Sequence, residues 1–283
     1  MTVARRHHLL VWTIYVAGVC QCAYRGEEGV TLPSDDEPGT LPDLHVFDRP
    51  VLLVGGGALE AQILTRGIAA LGGAPPIIAA DGAADRLREL GRMPSLIIGD
   101  LDSLKDPAAW PPRGVPVVHI REQDSTDFEK CLMATAAPLY LGVGFTGGRL
   151  DHGLAVLNTM ATRPSKRVVL LSAHETVMHL PAGHPVSLAV GAGAPVSLFP
   201  LRTVEPGPCH GLTWPLDGLT LAPGAMEGGV IGTSNRAEVE TVSLTMAQDG
   251  VLLLAPPESL DAVLAAAWPA SGAPPDATEK ASR

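Results

Sequence analysis

The sequence predicts an α/β domain with a parallel sheet, followed by an all-β sandwich domain. Between residues 50 and 172, short apolar runs alternate with stretches of helical periodicity, which is typical of βαβ units. After His174 the strand-like runs are separated by Gly, Pro or Asp turns, which indicates antiparallel pairing. No long helical period returns until Leu260–Trp268. We therefore expect a Rossmann-like three-layer unit first and a β sandwich second.

Each expected element corresponds to one apolar run or one helical period. In the first domain the expected strands are Val51–Val54, Ile77–Ala80, Leu96–Ile98, Val115–Ile120, Leu139–Phe145 and Val168–Leu171. The expected helices are Leu59–Leu71, Ala83–Leu90, Asp127–Ala136 and Asp151–Met160. In the second domain the expected strands are Val177–Leu180, Val186–Val190, Val196–Phe199, Leu219–Leu221, Val239–Met246 and Val251–Leu254. The domains are expected to span residues 44–175 and 176–270, with their boundary near 173–182.

The two ends of the chain read differently from the rest. Residues 1–43 are expected to be a disordered extension and linker, and residues 271–283 a frayed tail. Arg5 and Arg6 precede the apolar run Leu9–Cys20, as in a secretory signal. Against a signal, no clean cleavage site of small residues follows, and twelve apolar residues are too few to span a bilayer. Both readings stay open, with a cytoplasmic location expected.

Composition excludes several classes of protein. The chain of 283 residues has 46% apolar and 18% charged residues, which excludes an extended disordered protein. Its formal net charge of −10 argues against binding to nucleic acid or to an anionic membrane. The four cysteines contain no CxxC pair, so a structural zinc site or a disulfide scaffold is not expected and a reducing compartment fits; they are Cys20, Cys22, Cys131 and Cys209.

Acidic residues follow four consecutive strands of the predicted parallel sheet. They are Asp81, Asp100 with Asp102, Asp127, and Asp151. Ligands of open parallel sheets bind outside the carboxyl ends of the strands. Carboxylates gathered there repel one another unless a cation neutralises them, and Mg²⁺ reaches a protein through one or two carboxylates together with substrate phosphates. The sequence therefore predicts a site for metal and phosphate at this edge.

Each of these residues also has a purely structural interpretation. A lone Asp after a strand is commonly a turn residue or a helix cap. We expect Thr126 to begin a helix, with Glu129 as a capping-box partner, and this leaves free N–H groups for an anion. Lys130 lies one turn from Asp127 on the same face, although a solvated surface lysine is the simple alternative. Gly147-Gly148 can serve a tight turn or a close approach to a ligand.

Five ordered motifs carry a more specific signal than any single residue. They read ADGAADRL, GDLDS, QDSTDFEKCL, GGRLDH and, far downstream, TSN at Thr233–Asn235. This series resembles the thiamine pyrophosphokinase family, whose usual patterns are ADGGAN, GDxDS, DxxxTDxxKAL, GGRxDH and a late SN. The resemblance runs from about Val51 to Leu254. Two positions depart from the pattern, because Ala83 replaces a Gly and Asp85 stands near the place of an Asn.

The resemblance implies an activity and an architecture. Enzymes of this family transfer the pyrophosphoryl group of ATP to the hydroxyl of thiamine and release AMP. An α/β nucleotide-binding catalytic domain is followed by a β sandwich that binds thiamine, and the enzyme is a homodimer with active sites at the interface. Such transfers depend mainly on positioning and electrostatics. The N-terminal extension has no counterpart in the family.

The resemblance also implies roles for particular residues. Asp100, Asp102 and Asp127 are expected to bind Mg²⁺, with Asp81 near the metal or the substrate hydroxyl. The residues expected to contact ATP and its phosphates are Gln123, Thr126, Lys130, Arg149, Asp151 and His152. His152 as general base is an alternative to a structural or phosphate-contacting role. The residues expected to contact thiamine are Trp214, Ser234 and Asn235, although Trp214 reads equally well as a half-buried residue of the sandwich.

Three rival functions remain. A related pyrophosphokinase could act on another alcohol, such as a hydroxymethylpterin. A dinucleotide-binding module is suggested by LLVGGGAL, but Glu60 stands where the third Gly of GxGxxG belongs, and no GxxxxGK[ST] motif exists. A non-catalytic protein that binds nucleotide or thiamine is the third possibility, and the complete set of Asp and Lys residues argues against it.

Overall fold

The computed structural model describes residues 44–224 and 229–268, and three strands before them. Those strands form an antiparallel sheet of β1 (Val11–Val16), β2 (Val19–Gly26) and β3 (Gly29–Thr31). The expected tail at 271–283 lies outside the described residues, as does the rest of the 1–43 extension. The disorder expected for that extension stays a prediction.

The α/β part alternates strands and helices as its sequence predicts. Its strands are β4 (His45–Val46), β5 (Val51–Val54), β6 (Ile77–Ala80), β7 (Leu96–Gly99), β8 (Val117–His119), β9 (Thr135–Ala136), β10 (Tyr140–Val143) and β11 (Val168–Leu171). Its helices are α1 (Ala61–Ala70), α2 (Ala83–Glu89), α3 (Asp127–Ala134) and α4 (Leu150–Thr162). The β part contains β12 (Thr176–Leu180), β13 (Val186–Ala189), β14 (Ser197–Pro200), β15 (Thr241–Leu244) and β16 (Val251–Ala255), and helix α5 (Leu260–Ala267) follows.

The parallel strands form one side of a nine-stranded sheet. Their order is β11-β10-β5-β6-β7-β8, and every neighbouring pair among them is parallel. From β5 the chain builds outward to β8, then returns to the other side of β5 to add β10 and β11. Strand order therefore reverses between β5 and β10, and such a switch point is where open α/β sheets bind ligands.

Helices cover both faces of the parallel strands. Alternate residues of β5 enter two different apolar clusters, because successive side chains of a strand point to opposite faces. Leu52 packs in the cluster that contains residues of α1 and α2. Leu53 packs in the cluster that contains residues of α3 and α4. Helix, sheet and helix thus make three layers, and strands buried on both faces explain why their sequences are continuous apolar runs.

The antiparallel strands continue the same sheet. β11 pairs antiparallel with β12, which pairs with β16, which pairs with β14. β13 and β15 form a separate antiparallel ribbon. Leu188 and Val242 of this ribbon share an apolar cluster with Leu198 and Leu253 of the large sheet. The chain therefore has an α/β part and a β part joined through one mixed sheet, which the sequence did not predict. The domain boundary near 173–182 stays a prediction.

One expected strand is absent from the described residues. Leu221 makes only isolated bridges to Val204 and Val230, so Leu219–Leu221 is not a strand. Gly218 has φ +71° just before this run and Pro223 follows it, so the extended backbone is too short to pair. In the part of the chain that the structure describes, no helix is both long and apolar enough to cross a membrane.

Candidate active site

A cavity of about 850 Å³ opens at the carboxyl ends of the parallel strands. Residues following β5, β6, β7 and β10 line it, together with the first turns of α3 and α4. It lies at the point where strand order reverses. The sequence-based prediction placed the chemistry at this edge, and the acidic residues that follow β6 and β7 line the cavity.

Two glycine-rich loops form one wall of this cavity. A Cβ atom on Gly55 would lie 2.6 Å from the Gly144 carbonyl oxygen, and one on Gly57 would lie 2.7 Å from it. Gly144 itself has φ +75°, a conformation that favours glycine. The glycines of LLVGGGAL therefore allow two backbones to touch. This gives them a structural role independent of the dinucleotide fingerprint that the sequence lacks.

Asp81 follows β6 and is buried at the floor of the cavity. Its backbone has φ +46°, a left-handed conformation that Asp tolerates better than most residues. Its Oδ2 accepts a hydrogen bond of 3.0 Å from the Ser103 N–H. Its Oδ1 is buried and has no hydrogen-bond partner among the described residues. Burial, with added repulsion from Asp127 and Asp100, raises the pKa of Asp81 to about 6.

Asp100 and Asp102 follow β7 and face Asp81. One carboxylate oxygen from each of the three residues lies within 4.8 Å of those of the other two. The Asp102 N–H donates to Asp100 Oδ1 at 3.4 Å, and the Ser103 hydroxyl donates to Asp102 Oδ1 at 2.8 Å. Three carboxylates this close repel one another. The cluster therefore has the composition of a site for a hard divalent cation.

The unpartnered oxygen of Asp81 tests whether such a cation fits. A buried carboxylate oxygen without a donor loses the solvation it had in water. An ion held by Asp81, Asp100 and Asp102 would supply that missing partner, and oxygen is the ligand type that Mg²⁺ prefers. The donor set and the orphaned atom both fit a magnesium site.

Lys130 lies on α3, and its side chain reaches the cluster of three carboxylates. Its side chain is 2% exposed, and its Nζ donates to Asp100 Oδ2 at 3.0 Å. The same Nζ lies 3.6 Å from Asp127 Oδ1, in an ion pair one helical turn apart. The alternative of a solvated surface lysine is therefore wrong. Burial on its own would lower the pKa of Lys130, but the adjacent carboxylates outweigh it and the pKa is raised.

The pKa values of the two carboxylates beside Lys130 are shifted in opposite directions, down for Asp100 and up for Asp127. Burial on its own would raise the pKa of Asp100, but hydrogen bonds from Lys130 and Gln123 outweigh it and the pKa is lowered. Burial raises the pKa of Asp127, and the attraction of Lys130 offsets this only partly. Asp127 Oδ1, like that of Asp81, has no hydrogen-bond partner among the described residues. Asp127 lines the cavity but lies outside the three-carboxylate cluster.

Thr126 begins α3, as predicted. Its hydroxyl oxygen accepts from the Glu129 N–H at 3.3 Å. The Glu129 carboxylate accepts from Arg163 at 2.6 Å, so it is engaged with α4. Gln123 donates to Asp100 Oδ2 at 2.9 Å and so contacts the acidic cluster. Glu122, just before Gln123, accepts from the Asp124 N–H at 2.8 Å, from the Ser125 N–H and from the Ser125 hydroxyl, which orders the approach to the helix.

The start of α4 supplies exposed groups at the mouth of the cavity. Arg149 and His152 line it, and Asp151 does not. Arg149 pairs with Asp151 at 2.5 Å, and both side chains are well exposed. This exposed pair raises the pKa of Arg149 and lowers that of Asp151. A surface pair of this kind is weak, so Arg149 is free to exchange partners.

The three residues predicted to bind thiamine lie together in the β part. The side chain of buried Asn235 makes two hydrogen bonds to the backbone of Trp214. Its Oδ1 accepts from the Trp214 N–H at 3.2 Å, and its Nδ2 donates to the Trp214 carbonyl at 2.8 Å. Ser234 has φ +61°, and its N–H donates to the Ser197 hydroxyl at 3.0 Å. Trp214 itself is 57% exposed, so it is not a core residue. The three residues are absent from the lining of the cavity.

Comparison with known proteins shows which family part of this chain resembles. Residues 70–170 match the family model described as "Thiamin pyrophosphokinase, catalytic domain". The chain is similar to thiamine pyrophosphokinase 1 of Oryza sativa subsp. japonica, with 31% identity over 172 residues. Over this region the chain resembles the thiamine pyrophosphokinase family. The alignment with the rice protein covers 55% of this chain and 64% of that protein. Thiamine pyrophosphokinase 1 of Arabidopsis thaliana aligns at 28% identity, covering 55% of this chain and 63% of that protein.

Solved structures of thiamine pyrophosphokinases share the fold. The enzyme from Candida albicans superposes with a TM-score of 0.60 at 15% identity, covering 79% of this chain and 97% of that one. The enzyme from Geobacillus thermodenitrificans superposes with a TM-score of 0.57 at 23% identity, covering 73% and 96%. These coverages exceed the α/β part alone, so the likeness in fold includes the β part.

Sequence reasoning assigned no role to several residues that face the cavity, among them Arg86 and Ser103. Arg86 on α2 lines it, and the partner of its guanidinium is the exposed Glu89 at 3.2 Å. Ser103 lines it too, between its bonds to Asp81 and Asp102. Both lie inside motifs shared with the thiamine pyrophosphokinase family, ADGAADRL and GDLDS, so their position was a usable signal.

Proposed function

We propose that this protein is a thiamine pyrophosphokinase, which transfers the pyrophosphoryl group of ATP to the hydroxyl of thiamine and releases AMP. The observation that carries the proposal is the cavity itself. It combines three clustered carboxylates with the buried Lys130 at the switch point of an α/β sheet, in a chain that resembles this family. Cations and carboxylates side by side suit a metal-bound polyphosphate.

The acidic cluster is the proposed site of Mg²⁺. Asp81, Asp100 and Asp102 would hold the ion, and Asp127, assigned to the metal from the family resemblance, stays a prediction. When bound, Mg²⁺ supplies charge neutralisation for the phosphate oxygens. Lys130 keeps Asp100 ionised and in place, since it holds that carboxylate at 3.0 Å.

The other side chains would position the two substrates. Lys130, Arg149 and Arg86 present cationic groups to the polyphosphate, and the start of α3 at Thr126 presents N–H groups. The thiamine oxygen attacks the β-phosphorus, and the bond from that phosphorus to the oxygen bridging the α-phosphorus breaks. The hydroxyl proton must go to a nearby base. Asp81 and Asp127, whose pKa values burial raises, suit that task.

Thiamine would be held between two copies of the chain in a homodimer. The lining of the cavity extends from Gly56 to Val156 and contains no residue of the β part. Trp214 offers an exposed aromatic face of the kind that binds a flat cation. In a two-fold dimer, the β part of one copy can cover the cavity of the other. A cytoplasmic location belongs to the same proposal.

A product assay tests the activity. The full chain is incubated with ATP, Mg²⁺ and thiamine, and thiamine diphosphate and AMP are separated by chromatography. We expect equal amounts of the two products, and a loss of turnover of about 10²-fold or more in Asp100→Asn. A parallel reaction with hydroxymethylpterin tests the rival acceptor. Release of ADP in place of AMP, or pyrophosphorylation of the pterin alone, would refute the proposal.

Mixed dimers test the shared site. Asp100→Ala damages the cavity, and Trp214→Ala damages the β part. Each variant alone should be nearly inactive. After co-refolding in equal amounts, half the dimers are mixed and each has one intact site, so activity should return to about a quarter of wild type. If subunits exchange and activity stays at the level of the single variants, each site is built within one chain.

A further inference from the structure

We propose that Asp85 is a positioning residue for the metal site, acting through the acidic loop, which we define as residues 100–105. This inference rests on the magnesium site of the proposed function. Asp85 stands near the place where the family pattern has Asn, and its carboxylate lies outside the cavity lining. It touches the loop that carries Asp100 and Asp102.

The contact is a buried hydrogen bond to the backbone of the loop. Asp85 is 6% exposed, and its Oδ2 accepts from the Lys105 N–H at 2.9 Å. Two positions earlier in the loop, the Ser103 N–H donates to Asp81 Oδ2 at 3.0 Å. Asp81 lies just before α2 and Asp85 lies in its first turn, so two alternate N–H groups of the loop are bound by carboxylates from this short segment.

The other oxygen of the Asp85 carboxylate contacts an arginine on the same helix. Its Oδ1 pairs with Arg88 at 3.3 Å. The Arg88 guanidinium lies 5.5 Å from the centre of the Trp110 ring, and Trp110 is buried. Both oxygens of the Asp85 carboxylate are therefore engaged, Oδ1 by Arg88 and Oδ2 by the Lys105 N–H. A group placed in this way can set the position of the backbone that it binds.

The loop has little freedom to move while this contact persists. Leu101 has φ +65°, a conformation that a leucine side chain disfavours, so the loop would relax if released. A Cβ atom on Gly82 would lie 2.8 Å from the Ser103 carbonyl oxygen, which shows how closely the loop lies on α2. Any shift of the loop moves Asp100 and Asp102 relative to Asp81. Asp85 thus determines how well the three carboxylates converge.

Metal binding measured without turnover tests the inference. Mn²⁺, which takes the same oxygen ligands as Mg²⁺, is titrated into the full chain and the free ion is followed by electron paramagnetic resonance. Asp85→Ala should weaken Mn²⁺ binding by about tenfold or more, the scale of losing a group that orients a metal ligand. Asp85→Asn should stay within about twofold, because its amide oxygen can accept the same N–H.

Glu89→Gln is the matched control. Glu89 lies on the same helix and contacts the same lysine, but through the exposed Lys105 ammonium at 3.3 Å. We expect Mn²⁺ binding by this variant to equal that of wild type. Asp100→Asn, which removes a proposed ligand, marks the full loss of binding. A purely structural role for Asp85 would lower the thermal midpoint in Asp85→Ala and leave the Mn²⁺ affinity of the folded fraction unchanged.

Each outcome decides the matter. Wild-type affinity in folded Asp85→Ala would overturn the inference. If Asp85→Ala does not fold, Asp85→Asn still tests the inference: a tenfold loss there would overturn it, because this variant keeps the hydrogen-bond acceptor and loses only the charge. Absence of Mn²⁺ binding by wild type would overturn the inference together with the metal site. If metal binding behaves as expected but no thiamine diphosphate forms, the proposed function fails and the role of Asp85 stands.

Discussion

Replacing Asp81 with Asn should stabilise the metal-free protein while abolishing its activity. Asp81 is buried, and its Oδ1 has no hydrogen-bond partner among the described residues. Asn has the same shape, tolerates the φ of +46° and can still accept the Ser103 N–H. Its amide group could also donate to Asp100 or Asp127, which now repel Asp81. The variant thus removes a charge that the folded state holds unfavourably.

The size of the gain follows from the pKa of Asp81. Burial raises this pKa from 3.8 to about 6, and each unit corresponds to ~1.4 kcal/mol between the two protonation states. Two units give about 3 kcal/mol as an upper bound. The cavity admits solvent, which screens the charge, so we expect Asp81→Asn to raise the free energy of unfolding by about 1–2 kcal/mol at pH 7.

The pH dependence gives the prediction its specific signature. Between about pH 4 and pH 6 the folded protein holds the Asp81 proton more tightly than the unfolded chain does. The wild-type free energy of unfolding therefore loses this contribution as the pH rises through that window. Asn does not titrate. The advantage of Asp81→Asn should be absent below pH 4 and complete above pH 6.

Urea denaturation in EDTA at pH 4 and pH 7, followed by tryptophan fluorescence, measures the difference. Asp102→Asn is the control, because Asp102 is exposed and its replacement should change stability little. Adding Mg²⁺ should reverse the order, since the ion stabilises wild type by binding the folded state. An Asp81→Asn variant that is less stable than wild type at pH 7 in EDTA, or equally stabilised at both pH values, would refute the reasoning.

Two further substitutions follow from the packing of the cavity floor. Lys130→Met should lower the free energy of unfolding by about 3–5 kcal/mol in urea denaturation, because it leaves the largely buried Asp100 without its cation; an unchanged midpoint would contradict the ion pair. Gly99→Ala should cost about 1–3 kcal/mol in the same assay, because its Cβ would lie 2.7 Å from that of Asp81. Gly153→Ala is its control, since nothing lies within 4 Å of that position and no loss is expected.

The α/β part was predictable because its strands are buried on both faces. Val51–Val54, Ile77–Ala80 and Val168–Leu171 have the same limits in the sequence-based prediction and in the structure. Such runs stand out against the polar segments around them. The acidic rim was predictable for a related reason, since parallel strands bring the residues that follow them to one edge.

The β part was less predictable because pairing between strands is non-local. The join between the α/β strands and the antiparallel strands depends on the turn in which the Ser172 N–H donates to the Glu175 carbonyl at 2.9 Å. The pattern of apolar residues does not distinguish a strand that extends the parallel sheet from one that begins a second sheet. The burial of Lys130 was hidden for the same reason, because its acidic partner Asp100 is thirty residues away.

The mixed sheet affects how the protein unfolds. β11 is hydrogen-bonded on one edge to the parallel β10 and on the other to the antiparallel β12. Separating the α/β half from the β half would expose two rows of backbone hydrogen-bonding groups and the apolar side chains beside them. The two halves should therefore melt together in one cooperative transition. A protease that cuts the chain near residue 174 would nick the protein without releasing a stable fragment, because the ladder holds both pieces.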